Sequence, residues 1–159
     1  MTAFRIGLIS DTHGLLRPQA KTYLAGSGHI VHAGDIGHAD ILDELAALAP
    51  VTAVRGNNDH GHWARELPET ATLSIGAVSI YILHDLKKLD IDPAAAGFRV
   101  VVAGHSHRPS IEERHGVLYV NPGSAGPHRF KLPVAAGELL VEGAAVAAHW
   151  VRLRIPEFA

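Results

Sequence analysis

FRIGLISDTHG, residues 4–14, is an apolar run of strand-forming residues that stops at Ser10-Asp11 and gives way to a short polar loop ending in glycine. The same arrangement recurs twice within fifty residues: HIVHA (29–33) ends at GDIG, and VTAV (51–54) runs into RGNND. Between these runs the period changes to that of a helix. Residues 18–24 open with Pro18, which suits a first helical turn. Ile41, Leu42, Leu45 and Leu48 recur at helical spacing after Asp40, a candidate N-cap, and before Pro50. Strand, polar loop and helix in repetition predict an α/β arrangement with parallel strands in the first half.

The second half changes character. Residues 70–75 and 78–83 flank Gly76-Ala77 as a hairpin, and the second run ends at His84-Asp85. FRVVVA (98–103) is a strand ending at GHSH. Residues 110–113 and 117–120 form a second hairpin around His115-Gly116 and lead into NPGS, and 134–141 with 144–153 form a third around Glu142-Gly143. HGHWARELPE (60–69) reads as a surface loop. No repeat, linker or low-complexity tract divides the chain, so one domain over 1–159 is expected.

Composition bounds the function. With 159 residues, 47% apolar and 19% charged, the chain has material for a full core. A formal charge of −2 provides no general attraction for nucleic acid or anionic lipid, so any anionic substrate must be drawn in locally. Cysteine is absent, which excludes disulfides and thiolate metal sites. No apolar run approaches the length of a membrane span, and the N-terminal run reads as a strand rather than a leader. A soluble, cytoplasmic protein without membrane or stable nucleic-acid partners is expected. The unusual number is 12 histidines.

Several of those histidines stand just after predicted strands, in company with oxygen donors: Asp11 and His13, Asp35, Asn57, His84, and His105 with His107. In open α/β sheets the loops at the carboxyl ends of strands converge on ligands, so residues distant in sequence can meet there. Every one of these side chains can give an oxygen or a neutral nitrogen to a metal. The set suits a pair of borderline divalent ions (Mn2+, Fe2+, Ni2+ or Zn2+) better than Ca2+. Residues two apart on an extended segment point the same way, which would aim Asp11 with His13, and His105 with His107. Glycines at 14, 34, 56 and 104 allow close approach of backbone.

The ordered motifs DTH, GD, GNND, a lone strand-end histidine, GHSH and NPGS, spanning Asp11 to Ser124, resemble the calcineurin-like metallophosphoesterases, in particular their small single-domain bacterial and archaeal phosphodiesterases. The resemblance implies an α/β (α+β) fold, a four-layer αββα sandwich of two mixed sheets flanked by helices. It also implies that Asp11, His13, Asp35 and His107 hold one ion and that Asp35, Asn57, His84 and His105 hold a second, with Asp35 bridging. The cofactor is then two divalent metal ions, with Mn2+ favoured and Ni2+, Fe2+ or Zn2+ as alternatives. The implied activity is hydrolysis of a small phosphoester, nucleotide derivatives included, by a hydroxide bridging the ions, so that no protein nucleophile is needed.

Two positions depart from the family pattern. Where the superfamily usually has histidine directly after the ligand asparagine, this chain has Asn58, which cannot shuttle a proton at neutral pH. Either good leaving groups are preferred or Asp59, His38 or His128 substitutes as acid. Asp85 stands where the family commonly has glycine, and is expected either to fix His84 or to face solvent. Asp35, Asn57 and Asn58 are the expected catalytic residues; Asn58, Arg129, His38 and His128 are the expected substrate contacts. Trp63 and Phe130 are candidates for base stacking or for packing, and an edge strand from the C-terminal hairpins offers a surface for a homo-oligomer. The competing function is a protein-binding scaffold, since the family contains a retromer subunit that keeps the fold with a degraded site.

Overall fold

The computed structural model describes residues 3–129 and 131–156. Strand β1 (Phe4–Ile9) is central to the first sheet, and its last four residues are buried. Ile6 and Leu8 enter the layer between the sheets, while Ile9 faces the helices; all three are fully buried. Helix α1 (Pro18–Leu24) begins at the proline, as its fixed φ favours, and buries Ala20 and Leu24. β2 (His29–His32), α2 (Ala39–Ala46) and β3 (Val51–Ala53) follow. β1, β2 and β3 are parallel.

A one-turn helix α3 (His62–Arg65) lies within the stretch read as loop, and its Trp63 packs against the α1–α2 core, so that residue serves packing. β4 (Thr70–Ile75) and β5 (Val78–Leu83) form the first hairpin; β6 (Val100–Val102), then β7 (Ser110–Arg114) paired with β8 (Val117–Asn121), complete the second sheet. β9 (Ala135–Glu142) and β10 (Ala145–Arg152) return to the first sheet as an antiparallel hairpin against β1. The sheet orders are β10-β9-β1-β2-β3 and β4-β5-β6-β8-β7, and β5, β6 and β8 are parallel.

The sheets pack face to face over an apolar layer that includes Leu8, Val31, Ile80, Ile82, Val102 and Leu139. α1 and α2 cover the outer face of the first sheet through Leu24, Ile41 and Leu45 against Ile9, Ile30 and Ala136. The outer face of the second sheet has a thinner cover: a single 3-10 turn (Leu86–Lys88) and the coil after it, whose Leu89, Ile91 and Phe98 lie on Tyr81, Leu83, Val101 and Ala103. The expected four-layer sandwich of two mixed sheets is therefore present, with its fourth layer reduced to one turn and coil. The N-cap of α2 is His38, whose Nδ1 accepts the Asp40 N–H, and not Asp40, which sits in the first turn. Among the described residues no helix is long and apolar enough to cross a membrane.

Candidate metal centre

Each of the parallel strands β1, β2, β3, β5 and β6 stops just before one of the flagged side chains, and their carboxyl ends lie along one edge of the sandwich. The loops after β1 and β2 are joined backbone to backbone: the N–H groups of Asp11, His13 and Gly14 donate to the carbonyls of Gly34, Asp35 and Ile36. This brings two clusters together, Asp11–His13–His107 and Asp35–His84–His105, and within each the ligand atoms lie within 4.8 Å of one another. They interlock. His13 Nε2 is 3.7 Å from both Asp11 Oδ1 and Asp35 Oδ2, and His84 Nε2 is 3.3 Å from Asp35 Oδ2 and 3.9 Å from Asp11 Oδ1. Asn57 joins the second cluster, its Oδ1 3.2 Å from His105 Nδ1.

The donor set fits a metal on three counts. His84 Nδ1 can only donate to the Ala33 carbonyl, 2.7 Å away, so Nε2 keeps its lone pair and directs it at the two carboxylates. That Nε2 and Asp11 Oδ1 are buried without a hydrogen-bond partner. Thirdly, His13 Nε2 and His107 Nε2 lie 3.2 Å apart, close to the roughly 3 Å between neighbouring donors around an ion with bonds of about 2.1 Å. Orphaned acceptors converging in a buried place would be costly unless a cation met them.

Charge is retained at both carboxylates. Burial would raise the Asp35 carboxyl, but the close approach of the His84 imidazole, the Asn58 N–H and the nearby His13 outweigh it and hold the pKa at about 2. Asp11 is likewise lowered, burial being overcome by His107, Ser10 and His84. His84 is raised despite its burial, because Asp35 and Asp11 face it.

Backbone conformation marks the same residues. Asp11, His13, Asp35, His105 and His107 all have φ between 45° and 71°, and the one other non-glycine residue there among those described, His115, is in a hairpin turn. Left-handed backbone at non-glycine residues costs of order 1–3 kcal/mol each and is held by surrounding structure. Here that structure is visible: Ser10 Oγ and the His105 N–H bind Asp11 Oδ2, Ser124 Oγ binds the Asp11 carbonyl, and Asn121 Nδ2 binds the Gly104 carbonyl. NPGS is thus a support for the β1 and β6 loops.

The profile of the calcineurin-like phosphoesterase superfamily domain matches residues 4–142. A probable metallophosphoesterase of Methanothermobacter thermautotrophicus is 33% identical over 163 residues, covering 95% of this chain and 94% of its own. The chain belongs to the calcineurin-like phosphoesterase superfamily. A phosphodiesterase of Methanocaldococcus jannaschii is 27% identical over 137 residues, 75% of this chain and 82% of its own. Among solved structures, vacuolar protein sorting 29 of Cryptosporidium parvum superposes with a TM-score of 0.82 over 97% of this chain and 93% of its own, at 20% identity, which is a likeness of fold.

The remaining flagged residues stand outside the two clusters. Asn58 turns to Asp35: its N–H donates to Oδ1 at 2.8 Å and its Nδ2 to Oδ2 at 3.2 Å, which makes it a clamp on that carboxylate. Asp59 is not placed to serve as an acid, because it is 4% exposed and its two carboxylate oxygens accept the N–H groups of Gly37 and Gly56. His38 caps α2 through Nδ1, with its ring exposed. His128 lines a separate cavity with Arg17 and Arg152, and Arg129 is exposed; neither is in the clusters. Phe130 lies outside the described residues. Asp85 follows neither expectation: Oδ1 accepts the Lys87 N–H, and Oδ2 is 3.9 Å from His105 Nε2 rather than supporting His84.

His32, which belongs to none of the sequence motifs, supports the candidate centre from the core. It is fully buried; Thr12 Oγ1 donates to the Ile36 carbonyl and so accepts from His32 Nε2–H, while His32 Nδ1 accepts the Gly34 N–H. The neutral ring is satisfied at both nitrogens and ties the two metal-site loops together. Burial, above all, lowers its pKa to about 3. A folded-state pKa below the unfolded value near 6.5 means the unfolded chain binds the extra proton first. Stability therefore rises with pH between about 3 and 6.5, and is lost as pH falls through that window at up to about 1.4 kcal/mol per unit. Asp11 and Asp35 act in the same direction only below about pH 4. Urea midpoints of chelator-treated protein at pH 4.5 to 6.5 should fall with acid in the native chain and less steeply in His32→Gln.

Proposed function

We propose that this chain is a binuclear metal-dependent phosphodiesterase acting on a small phosphoester. The observation that carries the reading is the pair of interlocked clusters, Asp11–His13–His107 and Asp35–His84–His105, with buried acceptor atoms left unpartnered between them. Asp11, His13, Asp35 and His107 would hold one divalent ion, and Asp35, Asn57, His84 and His105 the other. Mn2+ is favoured, with Ni2+, Fe2+ and Zn2+ as alternatives that a His/Asp/Asn set also accepts. When bound, such a pair acidifies water and polarises phosphoryl oxygens.

The chain's own contribution is to hold these donors ready. Asp35 and Asp11 stay ionised, so two negative charges face the site at neutral pH. His84 is fixed in its Nδ1–H tautomer by Ala33, and Asn58 holds both oxygens of Asp35. Asn58 is spent on Asp35 and has no titrating proton to give at that position, which supports a preference for esters whose leaving alcohol is already acidic. The phosphodiesterase name carried by the archaeal relative agrees with this assignment. The family's other use of the fold, a protein-binding scaffold, is favoured less because the full donor set is present.

The test is hydrolysis of bis(p-nitrophenyl) phosphate and p-nitrophenyl phosphate by chelator-stripped protein, before and after Mn2+ is restored. Turnover that needs the metal and favours the diester is expected. A folded protein inactive on both esters with Mn2+, Ni2+, Fe2+ and Zn2+ would replace this reading with the scaffold. In the same assay Asn58→Ala should raise the metal concentration for half-maximal rate by about tenfold or more, the usual range for a residue that orients a ligand.

A further inference from the structure

The thin cover on the outer face of the second sheet leaves a cavity of about 540 Å³ at its β6–β8–β7 side, within the range that holds small-molecule ligands. Its floor is Val101, Ala103 and Tyr119, and its upper end is His105. One imidazole therefore stands in both places: His105 is 3.2 Å from Asn57 within the candidate centre and forms a wall of this cavity, with 44% of its side chain exposed. Asn121, through its bonds to the Gly104 carbonyl and Ser106 Oγ, fixes the loop between them.

We infer that this cavity holds the nucleoside arm of a phosphodiester whose phosphate lies at the metal centre, an inference that rests on the proposed function. Three observations point to a flat, uncharged group. The floor is apolar. The charged groups around it are two of each sign, Asp85 and Glu112 against Lys87 and Arg114, and Arg114 is already bonded to Glu112 Oε2 at 2.6 Å. The aromatic part of that floor is Tyr119, a half-buried ring whose centroid lies 5.0 Å from the Arg114 guanidinium, which steadies it.

The experiment compares thymidine 5′-(p-nitrophenyl phosphate) with methyl p-nitrophenyl phosphate, which share a leaving group and differ in the other arm. With Mn2+ the native protein should favour the thymidine ester in kcat/KM by about tenfold or more, the usual worth of stacking one base. Ser110→Trp, which fills the cavity from an exposed position on β7, should bring that ratio to near one, and Tyr119→Ala should lower it. A ratio near one in the native protein, or one that neither variant changes, overturns the subsite while leaving the hydrolase intact. Turnover of neither ester overturns the proposed function instead. The subsite then stands or falls on thymidine 5′-phosphate titrated into chelator-treated protein: amide NMR shifts should move at Val101, Ala103 and Tyr119, and stationary shifts there refute it.

Discussion

Asp35→Asn should give a folded protein whose kcat/KM for bis(p-nitrophenyl) phosphate is lower by more than about a hundredfold, with a matching loss of bound metal. Asp35 belongs to one cluster and reaches into the other. Its Oδ2 is 3.3 Å from His84 Nε2 and 3.7 Å from His13 Nε2, and Oδ1 accepts the Asn58 N–H. The side chain is 3% exposed, so its charge acts in a medium that screens poorly. Asparagine keeps the shape and tolerates the left-handed φ of 55°, which separates loss of charge from loss of fold. Circular dichroism checks the fold, and metal analysis after dialysis checks binding. Full activity and full metal content in this variant would remove Asp35 from the centre.

Gly56→Ala should do comparable damage by steric means alone. The backbone there is not left-handed, so alanine meets no conformational objection, but its Cβ would fall inside contact distance of both the Asp35 amide nitrogen and Asp35 Oδ1. Neither can move cheaply, since the carboxylate is held by Asn58 and the Gly56 N–H is itself bonded to Asp59. Overpacking of this kind costs about 1–3 kcal/mol, and relief by displacing Asp35 would cost metal affinity as well. Gly97→Ala is the control: nothing lies within 4 Å of its Cβ, and only the strain of φ +87° applies, about 1 kcal/mol. Melting temperature and metal titration on both variants should show Gly56→Ala losing affinity and Gly97→Ala keeping it. Equal metal affinity in the two would refute the argument.

What was legible in the sequence was whatever depends on periodicity along the chain. β1, α1, β4 and β5 begin and end where the apolar runs do, because each has a polar or glycine boundary that a buried strand or helix cannot pass. The strand-end histidines and aspartates were legible for the same reason. α3 was not, since four residues carry too little of a 3.6-residue period to register. The roles of Asp59 and His32 were hidden because each depends on one partner from a distant loop, the Gly37 N–H for Asp59 and the Thr12 hydroxyl for His32, besides a neighbouring N–H in its own loop. The one available signal was an aspartate closing the turn GNND, a residue type that binds nearby N–H groups. Asn58 could be seen to lack a proton but not to hold Asp35, which required the fold.

The five left-handed residues at the centre set the terms on which this chain can be improved. Each would relax if exchanged for glycine, so selection for heat resistance alone, in the absence of metal, should favour replacements at positions 11, 13, 35, 105 and 107. Stability engineering of this protein is therefore best done with a divalent ion present, or with those positions held constant, because the cheapest gains in melting temperature lie at the candidate centre.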